Sequence, residues 1–149
     1  MASGLRERFA EDACEVDREA TQHIVATGEA HPQSTMLIAQ QTHYAFVEED
    51  GCHIDATLAE RGYRGGLAAD AGRHSDLIDR TRAISNTAVV TTRLAHQCSP
   101  YAALEKKTAN RALNPLADAS IVSRLGGRGS WTLADPLCAA YVRREISAG

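Results

Sequence analysis

The sequence predicts a mainly α-helical protein with two domains. The first is an N-terminal helical bundle over residues 1–83, and the second, over residues 84–149, is a winged helix-turn-helix with a two-stranded β-hairpin wing. In the first part, apolar residues recur at steps of three and four, which is the period of an amphipathic helix. The second part has the order helix, short helix, helix and hairpin, which is the order expected for a winged helix-turn-helix.

The first part is predicted to contain about four helices and no strand. One helix covers residues 5–24 and stops at Gly28, because its apolar residues share one face. The second begins at Pro32, since proline suits a first helical turn. The third follows Asp55, whose side chain can cap it. Because glycine weakens a helix, we expect three residues to separate the third helix from the fourth: Gly62, Gly65 and Gly66.

In the second part, three helices and a hairpin precede a last helix. "SNTAVVTTRLAHQ" has helical spacing, and "SPYAALEKK" begins with Ser99 as a cap and Pro100 in the first turn. Thr108 is a possible cap of the third helix. The β-like runs "IVSRL" and "SWTL" flank "GGRG", where glycine tolerates the positive φ of a hairpin turn. Asp135 then caps a last helix whose first turn holds Pro136.

Charge is distributed unevenly along the chain. Residues 1–83 hold 8 basic and 15 acidic residues, a net charge of −7, whereas residues 84–149 hold 8 basic and 4 acidic residues, a net charge of +4. The basic part suits a polyanion. The two parts are therefore expected to have different partners.

Motifs of several enzyme and metal-binding classes do not occur in the sequence. The glycines at 126–129 lack the Lys-Ser/Thr of a Walker loop and the spacing of a dinucleotide-binding fingerprint. The four cysteines form no C-x-x-C pair, and the six histidines form no H-E-x-x-H. We therefore predict no catalytic residue and no metal ligand. No apolar run approaches the roughly 18 residues of a membrane span, so we expect a cytoplasmic protein with no membrane partner.

Basic and amide side chains on the third helix and the hairpin of the second part are the candidate DNA-binding residues. Cations that neutralise phosphates supply most non-specific DNA affinity, and asparagine and arginine read adenine and guanine edges. Winged helices also recognise proteins, so a protein-facing role without DNA contact stays open. The candidates are Lys106, Lys107, Asn110, Arg111, Arg124 and Arg128.

Four segments of the sequence together resemble a known family: "GEAHPQSTMLIAQQ", "SPYAALEKK", "NRALNPLADASIVSR" and "GRGSWTLADPLCAAYVRR". In this order they look like the C-terminal portion of prokaryotic AAA+/STAND-like ATPases. There, a helical lid with a Gly-His-Pro-type motif precedes a winged helix that ends in Trp-x-x-x-Asp-Pro-Leu. The matching residues here are Trp131, Asp135, Pro136 and Leu137. The resemblance covers nearly the whole chain, but the family's Walker A and B motifs do not occur in it.

The resemblance implies that residues 1–83 are lid-like and that the chain is not catalytic by itself. In the family the motif His and Pro lie near the nucleotide, so His31 and Pro32 are the implied nucleotide-binding residues. ATP is expected only together with a P-loop core, because the phosphates and Mg²⁺ otherwise have no ligands. The implied partners, besides duplex DNA, are an ATPase core domain or a second copy of the chain.

Three features depart from the family pattern. Two extra residues separate Gly28 from His31. Pro115 lies in the recognition helix, which we expect it to shorten or kink. Ser120 stands where the family usually has glycine before the first wing strand.

Overall fold

The computed structural model describes residues 1–12, 14–51, 53–126 and 130–147, and this part of the chain is mainly helical, as predicted. Its helices are α1 (Ala2–Glu11), α2 (Arg18–Thr27), α3 (Pro32–Glu48), α4 (Ala56–Arg82), α5 (Thr87–Ala95), a 3-10 helix (Pro100–Ala102), α6 (Lys106–Asp118) and α7 (Pro136–Ser147). Its strands are β1 (Glu15–Val16), β2 (His53–Ile54), β3 (Val122–Arg124) and β4 (Trp131–Leu133). None of the described helices is both long and apolar enough to cross a membrane.

The chain divides into two compact units, Met1–Ala69 and Asp70–Gly149. The division falls inside α4, whereas the predicted domain boundary at residue 83 lies just after the end of that helix. The two units carry the same net charges as the two predicted parts, −7 and +4, because residues 70–83 are neutral overall.

A short strand pair divides the first predicted helix of unit Met1–Ala69 into α1 and α2. β1 runs parallel to β2, with Glu15 opposite His53 and Val16 opposite Ile54. The Asp17 N–H continues the pairing with a 2.9 Å hydrogen bond to the carbonyl of Ile54, which is fully buried. The predictions of one helix over residues 5–24 and of no strand in this part are therefore wrong, because a segment distant in sequence pairs here with the backbone.

The starts of α3 and α4 are as predicted. Pro32 is the first residue of α3, and the Nδ1 of His31 accepts a hydrogen bond from the Ser34 N–H at 3.4 Å. The Oδ1 of Asp55 accepts a hydrogen bond from the Leu58 N–H at 2.9 Å. Both starts are set by residues within one helical turn, which is why local sequence predicts them.

The glycines of α4 do not break it: the helix continues from Ala56 to Arg82, so the predicted break is wrong. A methyl group on Gly62 would lie 2.7 Å from the backbone nitrogen of Thr42, and one on Gly66 would lie 3.4 Å from the Cγ1 of Ile38. Glycine therefore allows the backbones of α3 and α4 to approach closely. This packing offsets a helix-propensity cost of about 1 kcal/mol per glycine.

In unit Asp70–Gly149, helices and a hairpin surround one apolar core, and the predicted order of elements is confirmed. The Ser99 Oγ accepts a hydrogen bond from the Tyr101 N–H, and the Asp135 Oδ1 accepts one from the Leu137 N–H. β3 and β4 are antiparallel, with Arg124 opposite Trp131. The core residues include Val90, Leu94, Ala112, Leu113, Leu116, Ile121, Val122, Leu133, Cys138 and Val142.

α6 differs in detail from its prediction. It begins at Lys106 after Glu105, so the prediction of Thr108 as its cap is wrong. The helix continues through Pro115 to Asp118. Ser120, just beyond, has a φ of 58°, in the left-handed region that favours glycine.

Candidate nucleic-acid interface

α6 has a buried face and an exposed face. Lys106, Lys107 and Arg111 are exposed, and Asn110 is half-buried. Residues on the opposite face belong to the apolar core: Ala109, Ala112, Leu113 and Leu116. The helix thus presents the four predicted residues outward because its apolar residues hold the other side in the core.

A chain of side-chain hydrogen bonds connects the hairpin to α6. The indole N–H of Trp131 donates to the hydroxyl oxygen of Tyr101 at 3.1 Å, and that hydroxyl donates to the Oδ1 of Asn110 at 3.0 Å. An indole N–H can only donate, and a tyrosine hydroxyl has a single proton to give. The donor and acceptor of each of these two hydrogen bonds are therefore fixed, and both N–H groups of the Asn110 amide remain available as donors.

Arg124 extends this arrangement from β3. Its guanidinium carbon lies 4.8 Å from the centre of the Trp131 ring, within the range of a cation–π contact. Beside this pair is a cleft of about 580 Å³, which we name the Trp131 cleft. Its lining residues are Tyr101, Leu104, Glu105, Lys106, Asn110, Arg124 and Trp131. Three of the six predicted DNA-binding residues therefore lie together around one concavity.

The predicted cations on α6 and β3 are available to an anion. Lys106, Lys107, Arg111 and Arg124 form no ion pair or hydrogen bond with other described side chains, whereas four arginines elsewhere are paired with carboxylates: Arg61, Arg64, Arg73 and Arg82. The exposed Arg80 and Arg144 are also unpaired within the described part of the chain. Position on α6 and the hairpin, rather than lack of a partner, distinguishes the candidates. Arg128 lies outside the described residues.

His31 and Pro32, the nucleotide-binding residues implied by the resemblance, form the start of α3. The Nδ1 of His31 lies 3.1 Å from the hydroxyl of Ser34 as well as accepting its N–H. This cap explains both residue types structurally, because the ring satisfies a free helix N–H and proline needs none. Their nucleotide contact stays a prediction.

A cluster of charged residues at the start of α7 was not predicted. We name Asp70, Arg73, His74 and Asp135 the Asp135 cluster. The Oδ2 of Asp135 accepts hydrogen bonds from the Nη2 of Arg73 at 2.6 Å and the Nε2 of His74 at 3.1 Å. The Nε of Arg73 donates to the Oδ1 of Asp70 at 2.7 Å. Asp70, Arg73 and His74 share one helical face by spacing, but Asp135 is far along the chain, so no sequence signal joins them.

The Asp135 cluster contains potential metal donors, since its imidazole and two carboxylates lie within 4.8 Å of one another. However, Arg73 donates to both carboxylates, and its positive charge already compensates them. Hydrogen bonding to Asp70 and Asp135 raises the pKa of Arg73 above its ordinary value. We therefore interpret the cluster as a structural ion-pair network that positions the first turn of α7.

His74, a member of this cluster, and Cys138, close to it, are both buried. His74 is fully buried, and its Nδ1 has no hydrogen-bond partner among the described residues. Carboxylate oxygens only accept hydrogen bonds, so the Nε2 of His74 is the donor in its contact with Asp135. Burial, together with the charge of Asp135, raises the pKa of the Cys138 thiol to about 12. That thiol is therefore a poor nucleophile at neutral pH.

Unit Met1–Ala69 has a separate groove between α1 and α3, which we name the apolar groove. Its volume is about 540 Å³. Met36 of α3 lines the groove, and Val47, on the same helix but not among the lining residues, is 60% exposed. The lining residues are Leu5, Arg8, Phe9, Asp12, Gln33, Met36, Leu37, Ala39, Gln40 and His43.

Comparison with known proteins adds no assignment. Neither a scan of protein-family models nor searches of curated proteins and solved structures gave a match to the chain. The resemblance to AAA+/STAND-like ATPases thus stays a prediction that rests on the motifs of the sequence.

Proposed function

We propose that unit Asp70–Gly149 is a winged helix-turn-helix module that binds duplex DNA, with α6 as the recognition helix and the β3–β4 hairpin as the wing. The observation that carries the proposal is the set of unpaired cations on α6 and β3 around a half-buried asparagine. These are Lys106, Lys107, Arg111 and Arg124. Unit Met1–Ala69 is acidic and unit Asp70–Gly149 is basic, so a polyanion is expected to bind the second unit.

In this proposal the cations, Arg111 included, contact phosphates and position the helix, while base reading falls to Asn110. Phosphate contacts release counterions, so affinity falls steeply with salt. Lys107 and Arg111 lie four residues apart on one face of α6 and outside the Trp131 cleft, which suits them to successive phosphates of one strand.

The test compares two double variants that remove the same charge from different surfaces. Fluorescence anisotropy is measured with a random-sequence duplex from about 50 to about 200 mM salt. For Lys107→Ala/Arg111→Ala, we expect affinity to fall by about tenfold or more and the slope of log K against log[salt] to decrease by about two. For Arg80→Ala/Arg144→Ala, which removes two exposed, unpaired arginines of the same unit, we expect a much smaller change.

Equal losses in the two double variants would indicate general charge attraction rather than a site on α6. No salt-sensitive binding by the unaltered chain would overturn the proposal.

Unit Met1–Ala69 is proposed to act as a lid-like module toward a P-loop core supplied by another domain or chain. His31 and Pro32 contact the nucleotide in this proposal, and the chain alone does not turn over ATP. Titration of a fluorescent ATP analogue with the chain alone is expected to give no saturable binding. Hydrolysis of ATP by the pure chain would contradict the proposal.

A second candidate function is a docking or autoinhibitory role on an ATPase core, without DNA contact. Two features favour it: the apolar groove, and the exposed apolar side chains of α3. Met36, in the groove, is 41% exposed, and Tyr44 and Val47, outside it, are 50% and 60% exposed. Exposed apolar surface of this kind is common at protein interfaces. Sedimentation over a range of concentrations tests the self-docking form: Val47→Lys is expected to reduce any dimer, whereas a monomer at every concentration would contradict self-association.

A further inference from the structure

The Trp131 cleft has properties that duplex binding does not use. Its volume of about 580 Å³ falls in the range of roughly 300–1,000 Å³ that is common for sites of small organic groups. Its lining combines an aromatic ring with an amide, cations and one carboxylate. Tyr101, Leu104 and Trp131 also pack against the apolar core of the unit. The groups that neither packing nor phosphate binding explains are therefore the amide nitrogen of Asn110 and the carboxylate of Glu105.

The aromatic ring and the guanidinium offer a stacking surface. Arg124 is held 4.8 Å from the centre of the Trp131 ring, while the indole N–H is anchored by the Tyr101 hydroxyl. Nucleobases stack on aromatic rings and on arginine planes, and they do so when they are not paired within a duplex.

The polar groups of the cleft match the edge of a base. Because the Asn110 Oδ1 accepts from Tyr101, its amide nitrogen has two donors to offer. The Glu105 side chain makes no capping hydrogen bond to α6 and no ion pair with other described residues. A carboxylate repels a phosphate but accepts hydrogen bonds from the amino and imino groups of bases. Glu105 thus favours a base over a phosphate inside the cleft.

We propose that the Trp131 cleft binds an unpaired nucleobase, so that the module prefers DNA with unpaired nucleotides beside a duplex. The base stacks against the exposed guanidinium of Arg124, which lies over the Trp131 ring, with Asn110 donating to the base and Glu105 accepting from it. Lys106, at the rim, contacts the adjoining phosphate. This inference rests on the proposed DNA binding and specifies the kind of DNA that the site takes.

The test uses two DNA ligands of equal length and equal phosphate number. One is a fully paired duplex, and in the other the last few pairs at one end are replaced by mismatches, so that both strands are unpaired there. Affinity for the mismatched end is expected to be about tenfold higher, since stacking of one base has an effect of that order. Trp131 is the one tryptophan of the chain, so its fluorescence reports directly on the cleft. Its emission is expected to be quenched by the mismatched ligand and much less by the duplex.

Two asparagines of α6 provide a matched pair of variants. Asn110 lines the cleft, whereas Asn114, one turn further along, is exposed and does not line it. The ratio of the two affinities is expected to fall toward one in Asn110→Ala and to stay as in the unaltered chain in Asn114→Ala. If Asn110→Ala does not fold, the affinities and Trp131 quenching of the unaltered chain decide the question.

The outcomes separate this inference from the proposed duplex binding. Equal affinity for both ligands would overturn the cleft proposal and leave duplex binding intact. Quenching and binding with the mismatched ligand alone would support the cleft and contradict duplex binding. Binding of neither ligand would overturn both.

Discussion

The two units of the chain differ in how deeply their ion pairs are buried. In unit Met1–Ala69, ion pairs lie near the surface, as between Arg61 and Glu49, and two helices approach each other through glycine at Gly62. In unit Asp70–Gly149, a fully buried His74 and two mostly buried carboxylates of the Asp135 cluster are paired internally. The cations of α6 and β3 have no ion pair within the described part of the chain, and the same holds for Arg6, Arg8 and Arg18 of the first unit.

Two kinds of charged side chain can therefore be distinguished: those that stabilise the fold and those that remain available to a ligand. A carboxylate whose oxygens already accept hydrogen bonds from arginine, histidine and a helix N–H has its role inside the protein. A cation held on a folded surface without a partner costs little, because water solvates it, and it remains available to an external anion. The position of the cations on α6 and β3, rather than their lack of partners, is the basis of the ligand-binding role proposed above.

The largest effect on stability is expected from a variant that disrupts the Asp135 cluster of the second unit. Asp135→Ala removes one of the two carboxylate partners of Arg73 and His74 as well as the cap of the Leu137 N–H, so we expect the free energy of unfolding to fall by about 3 kcal/mol. Urea denaturation measures it. Arg82→Ala, which removes an exposed pair with Asp79, is expected to cost less than about 0.5 kcal/mol. Similar losses in the two variants would show that the cluster is not what holds the first turn of α7.

The next largest effect is expected from a variant that disrupts the close packing of α3 against α4 in the first unit. Gly62→Ala places a methyl group 2.7 Å from the Thr42 backbone nitrogen, and the resulting overpacking is expected to cost about 2–3 kcal/mol. Gly72 lies in the same helix, and a methyl group there would meet no atom of the described residues within 4 Å. Gly72→Ala is therefore expected to stabilise the protein by about 0.5–1 kcal/mol, through helix propensity alone. Thermal unfolding of both variants measures the difference, and two changes of the same sign would contradict the packing role.

A smaller effect concerns the backbone before the hairpin. Ser120 has a φ of 58°, so Ser120→Gly is expected to stabilise the protein by about 1 kcal/mol. Ser123 lies in β3, where Ser123→Gly is expected to destabilise it by about 0.5–1 kcal/mol. Chemical denaturation of both variants tests whether the left-handed conformation at Ser120 is the cause.

The smallest expected effect is the titration of an exposed pair in the first unit. The hydrogen bond from His53 to Asp17, 3.0 Å long, raises the pKa of His53 above its ordinary value. The pair therefore stabilises the folded state at low pH, and the contribution is lost as pH rises through the raised pKa. NMR titration is expected to show a lower His53 pKa in Asp17→Asn, and an unchanged value would show that Asp17 is not its partner.

The sequence determined those helix starts that depend only on residues within one helical turn. Pro32, Ser99 with Pro100, and Asp135 with Pro136 mark helix starts at the predicted positions, because capping and the missing N–H of proline act on the nearest residues. The hairpin strands followed from alternating β-like runs around glycines. Apolar spacing also placed the outward face of α6, and with it the candidate cations.

Only the tertiary structure decided what depends on residues far apart in the chain. Pairing of Val16 with Ile54 ends a predicted helix, and contact with Thr42 makes Gly62 a packing residue rather than a helix breaker. The hydrogen bonds from Trp131 to Tyr101 and on to Asn110 connect residues that line the Trp131 cleft. Asp135 joins three residues of α4 in the Asp135 cluster. Local propensities differ by about 1 kcal/mol or less per residue, so a single close contact or a buried hydrogen bond outweighs them. That is why the sequence identified which residues face outward on α6, whereas only the folded structure shows that some of them line the Trp131 cleft.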